Sequence, residues 1–276
     1  MKSYRKINNI TGWVIFAVSA VTYLLTLEPT ASLWDCGEFI ASSYKLEIGH
    51  PPGNPVFMVI ARVFTLFAGG NVSTVAIMVN AMSALASAFT SLFLFWTITH
   101  LARKLIIGNG DSTPGRIMAV MAAGATGALA FTFSDSFWFS AVEGEVYATS
   151  SFFTAVVFWA ILKWEDVADE PHADKWIILI AYLMGLSIGV HLLNLLTLPG
   201  IVLVYYFRKF EFSWKGFLIS LGISAVLLSL LMYGIMPGLV TISAKLDIFS
   251  RNTLGLPLNS GLISHFILLI VTFILA

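Results

Sequence analysis

The chain alternates long apolar stretches with short segments that hold almost all of its charge. Crossing a bilayer takes about 20 apolar helical residues. Stretches near that length predict helices over Thr11–Leu27, Val75–His100, Ile117–Phe133, Tyr147–Leu162, Gly216–Met236 and Leu262–Ala276. From Trp176 to Phe207 there are 32 residues without an acid, lysine or arginine. At 1.5 Å per residue that run is too long for one upright helix and short for two full spans. Gly185, Gly189 and Pro199 interrupt it, so the pattern predicts two short helices forming a hairpin in the membrane, turning near Gly189–Asn194. Pro55–Ala68 has only 14 residues and contains Arg62. Such a segment suits the interface, not a crossing.

Orientation follows from where the basic residues fall, because they concentrate in cytoplasmic loops. With Pro55–Ala68 outside the bilayer, 11 of the 15 basic residues share one side: Lys2, Arg5, Lys6, Arg103, Lys104, Arg116, Lys163, Lys175, Arg208, Lys209 and Lys215. Making Pro55–Ala68 a span would send the Arg103–Arg116 cluster to the other face and lose the bias. The expected topology therefore has a cytoplasmic N-terminus, retained as an anchor since no small-residue cleavage site precedes Glu28-Pro29. The extracytoplasmic side carries Glu28, Asp35, Glu38, Glu47, Asp135, Glu143, Glu145 and Asp247. The last residues, Ile274-Leu275-Ala276, lie inside an apolar run, and more chain is expected to follow them.

Composition agrees with a lipid environment: 58% of residues are hydrophobic and 11% charged, more apolar surface than a soluble domain of 276 residues can hide. The expectation is an all-α polytopic membrane protein, one transmembrane domain over residues 1–276. Fifteen basic and fifteen acidic residues leave no electrostatic footprint for nucleic acid. Cys36 is the single cysteine, which excludes an internal disulfide and a thiolate metal cage.

Charge is scarce, so its placement is informative. Between the first two predicted spans stand Trp34-Asp35-Cys36-Gly37-Glu38-Phe39 and His50-Pro51-Pro52-Gly53-Asn54-Pro55. On a helix Asp35 and Glu38 would share a face, with Trp34 and Phe39 suited to headgroup level. The prolines stiffen the run that carries His50. A second constellation runs from Asp135 to Tyr147, with Glu143 and Glu145 where a helix begins, a place the helix dipole already favours for acids. A third pairs His191 with Asn194 at the expected hairpin turn, where polar groups commonly face a cavity.

These motifs, together with Gly185-Leu186-Ser187-Ile188-Gly189-Val190-His191-Leu192-Leu193-Asn194, resemble a family of bacterial membrane proteins related to transmembrane protein 260, a protein O-mannosyltransferase of the secretory pathway. The resemblance spans roughly Ile10–Tyr206. More distantly, an acid pair followed by His-Pro-Pro is similar to the first luminal loop of other protein O-mannosyltransferases of the GT-C superfamily. It implies a GT-C-like transmembrane helix bundle whose external first loop carries a short interfacial helix. It also implies sugar transfer, mannose above all, from a polyprenyl-phosphate donor in the membrane lipid to Ser or Thr hydroxyls of an extracytoplasmic protein. By this resemblance Asp35 takes the place of the catalytic carboxylate; the chemistry of the neighbouring residues then suggests that Glu38 orients acceptor or sugar hydroxyls and that His50, joined by Arg62 or His191, meets the lipid phosphate. Glu143, Glu145, Tyr147 and Asn194 complete the expected substrate-binding set. Cys36-Gly37 separates acids that are adjacent in those enzymes, which leaves open whether Asp35 or Glu38 is the base.

A departing phosphate needs no proton donor, so one general base suffices. No cofactor is expected; Asp35, Glu38, His50, Glu143 and Glu145 are nonetheless ligand types a divalent metal accepts. Two rivals stand beside this reading. A glycolipid or envelope polymer is an alternative acceptor, which the acids do not discriminate. A transporter or scaffold would need ionisable groups at mid-membrane and paired broken helices, whereas the acids here cluster at one surface.

Overall fold

The computed structural model describes residues 2–51, 53–108 and 110–275. Pro52 of the predicted stiff run and Ala276 of the predicted last helix lie outside the described residues. Among those described there is no β-strand. The chain divides into two compact units, Met1–Phe210 and Glu211–Ala276.

The first unit runs α1 (Lys2–Leu25), α2 (Cys36–Lys45), α3 (Pro55–Leu66), α4 (Val75–Ile106), α5 (Pro114–Thr132), α6 (Asp135–Ala141), α7 (Val146–Val167), α8 (Asp174–Ile188) and α9 (Leu198–Lys209). Four of these stretches are long and apolar enough to cross a membrane: Ser3–Leu25, Val72–Ile106, Pro114–Thr132 and Val146–Val167. The spans continue past their apolar cores. α1 takes in the basic first turns and α4 runs through Arg103 and Lys104, because helical hydrogen bonding does not stop where hydropathy does.

α4 is the central pillar, packed against α1, α5 and α7. Its Ser83, Ala84, Ser87, Ala88 and Ser91 are fully buried. Small side chains let helices approach closely, and close packing is what holds helices together in lipid. α5 meets it with Gly124, where an added Cβ would stand 2.4 Å from Thr99 Cγ2. Buried hydroxyls join the three helices: Ser91 and Thr132 lie 2.8 Å apart, and Tyr23 of α1 donates to the Thr132 carbonyl at 2.8 Å.

Between spans, α2, α3 and α6 gather at one end of the bundle. Val56 and Phe57 at the start of α3 donate to the Gly189 carbonyl. The chain leaving α3 enters α4 at that same end, where Asn80 donates to the carbonyls of Glu28 and Thr30. α3 therefore begins and ends at one end of the bundle, and its Val59, Val63 and Leu66 are exposed, as the amphipathic form of an interfacial helix requires.

The run Trp176–Phe207 does form two helices, broken at Gly189–His191. Its turn lies at a different level from the one expected. Trp176 of α8 packs on Trp159, and His191 packs on Tyr147 at the start of α7. Tyr205 of α9 then stacks on Trp164 near the other end of α7. Both helices thus travel the length of α7, and the turn emerges beside the acidic loops instead of in mid-membrane. Leu192–Thr197 winds as a 3-10 helix, whose larger rise per residue lets a short run cover the distance.

The second unit holds α10 (Trp214–Ser229), a π-helical stretch Leu230–Ile235, α11 (Met236–Leu254) and α12 (Ser260–Leu275). Hydropathy stops the first of these at Met236, yet the helix is continuous over Trp214–Leu254. The π turn immediately precedes Pro237, whose missing N–H and ring would break a regular ladder; widening the turn accommodates them.

Candidate active site

Asp35 and Glu38 enter the site on the first turn of α2, Asp35 at its N-cap. Trp34, just before, sits in the left-handed region with φ +60° and its ring is 88% exposed. That conformation costs a tryptophan about 1–2 kcal/mol and turns the indole outward, as expected for a headgroup-level aromatic. Phe39 departs from that expectation. It is buried and supports the His50 ring at 5.8 Å.

The loop carrying His50 folds back over α2. Glu38 Oε1 accepts the His50 backbone N–H at 2.7 Å, and Glu38 Oε2 lies 3.2 Å from His50 Nδ1. His50 Nε2 stands 3.9 Å from Asp35 Oδ2. An imidazole is thus held between two carboxylates, all three side chains partly exposed. The backbone N–H and ring of His50 keep the Glu38 carboxyl below the usual range. Gly49 is needed for this approach, since a Cβ there would lie 3.3 Å from Glu38 Oε1 and 3.2 Å from Met58 Cε.

Glu143 and Glu145 reach the site from the α6–α7 connection but do not join that exposed cluster. Both are buried, 4% and 5% exposed. Glu145 caps α7, accepting the Val146 N–H at 3.2 Å, and takes the Cys36 thiol at 3.7 Å on its other oxygen. Glu143 Oε2 has no hydrogen-bond partner among the described residues. Burial raises the pKa of both carboxyls, which favours the neutral form. Burial and then the two glutamates push the Cys36 thiol up as well, so it is a protonated donor and no nucleophile. Gly144 lets the chain thread between α2 and α4, where a Cβ would meet Asn80 Oδ1 at 3.0 Å and Ile40 Cγ1 at 3.2 Å.

A cavity of about 290 Å³ opens here, lined by Asp35, His50, Asn54, Glu145, Tyr147 and His191. Five of these were expected from the sequence. Leu193 N–H donates to His191 Nδ1 at 3.1 Å, which leaves Nε2 to carry the proton. Asn54 was not expected. It is buried, its Oδ1 lacks a hydrogen-bond partner among the described residues, and it makes no side-chain cap for α3. The signal was its place in His50–Pro55, directly before a helix.

Four expected residues do not line the cavity: Glu38 and Glu143 stand behind its wall, on His50 and beside Cys36, while Arg62 and Asn194 serve structural contacts. Arg62 Nη1 donates to the Tyr44 carbonyl and to Thr65 Oγ1, and its guanidinium lies 5.4 Å from the Tyr44 ring. It ties α3 to α2 and is spent there. Asn194 is fully buried and donates to Ser187 Oγ at 2.6 Å, while Thr197 donates to its Oδ1; it fastens the α8–α9 turn. Asp35, Glu38 and His50 place ligand atoms within 4.8 Å of one another and so form the one group among the described residues able to hold a divalent ion.

Comparison with known proteins follows this geometry. The chain is 26% identical over 260 residues to the Protein O-mannosyl-transferase tmem260 of Dictyostelium discoideum, covering 92% of this chain and 30% of that protein. It is 29% identical over 175 residues to the Protein O-mannosyl-transferase TMEM260 of Mus musculus, covering 63% of this chain and 22% of that protein. The chain thus spans less than a third of the length of these relatives. The family model for the Protein O-mannosyl-transferase TMEM260 N-terminal domain matches residues 35–214, from Asp35 through both carboxylate loops and the α8–α9 turn, and the chain belongs to that family.

Proposed function

We propose that this chain forms the catalytic membrane portion of a protein O-mannosyltransferase that uses a polyprenyl-phosphate sugar. The observation that carries the reading is the convergence of Asp35 and His50 with Glu145, Tyr147 and His191 on one cavity at a single end of the bundle. Basic side chains gather at the opposite end, paired with the C-terminal part of α7 and its loop: Lys104 with Glu165, Arg103 with Asp166, Arg208 and Lys209 with Asp169. By the positive-inside bias the cavity then faces the extracytoplasmic side.

In the proposed reaction a Ser or Thr oxygen of the acceptor attacks the anomeric carbon from the face opposite the phosphate. The bond between that carbon and the phosphate oxygen breaks, and polyprenyl phosphate leaves with the electron pair. The hydroxyl proton passes to Asp35, giving inversion. Asp35 suits the role because it lines the cavity and makes no side-chain cap bond. Glu38 is engaged through both oxygens by His50, which makes it the orienting partner of the imidazole. His50, and His191 through its Nε2–H, are placed to offset negative charge growing on the phosphate. Glu145 and Tyr147 offer hydrogen bonds to sugar hydroxyls. No metal is assigned a role in this scheme.

Incubating membranes that contain the full-length protein with labelled polyprenyl-phosphate mannose tests the reading. Label should enter a protease-sensitive product and be released from it by β-elimination. Label that appears only in lipid extracts or in a protease-resistant polymer would move the acceptor to another class.

A further inference from the structure

A second cavity, about 580 Å³, lies in the first unit at the end opposite the carboxylates. α1, α4 and α7 surround it, and three cations face it: Arg5, Arg103 and Lys163. Two carboxylates, Asp166 and Glu170, also line it, so the formal balance is one positive charge. Asp166 is already engaged by Arg103 at 3.7 Å and by His100 at 3.7 Å. Arg5 and Lys163 form no ion pair among the described residues, and Lys163 rests 5.5 Å from the Trp159 ring. Asn8 Oδ1 is buried there without a partner among the described residues.

An aromatic row leads out of this cavity along α4. Trp96 and Trp159, both in its wall, lie 6.0 Å apart. Phe93 touches both, at 5.5 and 5.1 Å, and the row continues through Phe152 to Phe89 in 6.0 Å steps. Trp13 on α1 closes the side at 6.4 Å from Trp96. Gly12 makes room for it, since a Cβ would stand 2.6 Å from Trp96 Nε1. Each of these rings except the exposed Trp13 is half-buried. They form an aromatic strip on the apolar helices of the bundle, with the cationic pocket at one end.

We propose that this pocket and the aromatic strip bind one anionic glycerophospholipid, its phosphodiester at Arg5 and Lys163 and its acyl chains against the rings. Charge selects the occupant: a net positive pocket complements a lipid of net charge minus one and not a zwitterionic one. The bilayer depth of the rings suits chains better than a soluble anion. The site is separate from the carboxylate cavity and shares no lining residue with it.

Native mass spectrometry of the full-length protein tests this, with phosphatidylglycerol and phosphatidylcholine of matched chains supplied in equal amounts. One phosphatidylglycerol should be retained per chain, at least about tenfold over phosphatidylcholine. Arg5→Gln with Lys163→Gln should lower its retention by about fivefold for each basic residue removed, about thirtyfold for both. Lys45→Gln, whose partner is Glu47 at the other end, should change nothing. Equal retention of both lipids, unchanged retention in the double variant, displacement by millimolar inorganic phosphate, or an aromatic strip covered by the rest of the full-length chain so that no lipid is held would each overturn the proposal. Should the double variant misfold, the wild-type comparison of the two lipids decides alone.

Discussion

Replacing Asp35 with Asn removes a proton acceptor and little else. The Asp35 side chain is 57% exposed, and its nearest ionic neighbour, His50 Nε2, is 3.9 Å away, beyond hydrogen-bond range. The amide therefore strands no buried group, and stability should stay within about 0.5 kcal/mol of wild type. Positioned proton transfer contributes about 10²–10⁴ in rate, which at about 1.36 kcal/mol per decade is about 2.7–5.4 kcal/mol of barrier. The assay is the initial rate of mannose transfer from polyprenyl-phosphate mannose to a Ser/Thr peptide at saturating donor, with the thermal midpoint measured on the same preparation. kcat should fall at least about a hundredfold while the midpoint holds. Glu38→Gln keeps one oxygen for the His50 N–H and should lose less. An Asp35→Asn enzyme within about threefold of wild type, with Glu38→Gln the more damaged of the two, would refute the assignment and make Glu38 the base.

Further outcomes follow from the same geometry. Glu143 and Glu145 have raised folded-state pKa values, because burial disfavours their charged forms; the fold thus binds their protons more tightly than the unfolded chain does. The contribution of these two carboxyls to stability should be full below about pH 4.3, the unfolded carboxylate value, and be lost as pH rises through the raised folded values. Glu143→Gln should flatten that decline in thermal unfolding scans, whereas an unchanged slope would show the carboxylate to be solvated. Gly189→Ala forces a Cβ to 2.5 Å from Val56 Cγ2 and should cost about 1–3 kcal/mol, loosening α3 from the α8–α9 turn; an unaltered denaturation midpoint would contradict that packing. Excess EDTA should leave transfer intact, and a collapse rescued by Mn²⁺ would instead assign the Asp35, Glu38 and His50 group to a divalent ion.

Of the fold, the spanning helices were readable because crossing a bilayer requires a length of apolar residues that nothing else in the chain imitates. α2 and α6, at 10 and 7 residues, left no such trace. Their helicity depends on what they pack against, as when Phe39 and Ile40 of α2 join the core with Phe57, Val79 and Val190. The level of the α8–α9 turn was likewise hidden. Hydropathy counts residues in lipid but does not say which part of α7 they run beside.

The candidate site divides the same way. Linear order alone put carboxylates and a histidine on the loops at one end of the spans, since charge is excluded from the lipid-facing stretches and has few other places to go. Only the folded chain decided that His50 stands between Asp35 and Glu38, that Glu143 and Glu145 are buried beside Cys36 with their pKa values raised, and that Arg62 and Asn194 are consumed in structural contacts. Most of these outcomes are set by partners outside the residue's own turn of chain: Cys36 and Glu145 are separated by 109 positions, Arg62 and Tyr44 by 18. Burial and hydrogen-bond capacity, which determine whether a carboxylate is a base, a donor or a cap, are properties of that encounter and not of the residue type.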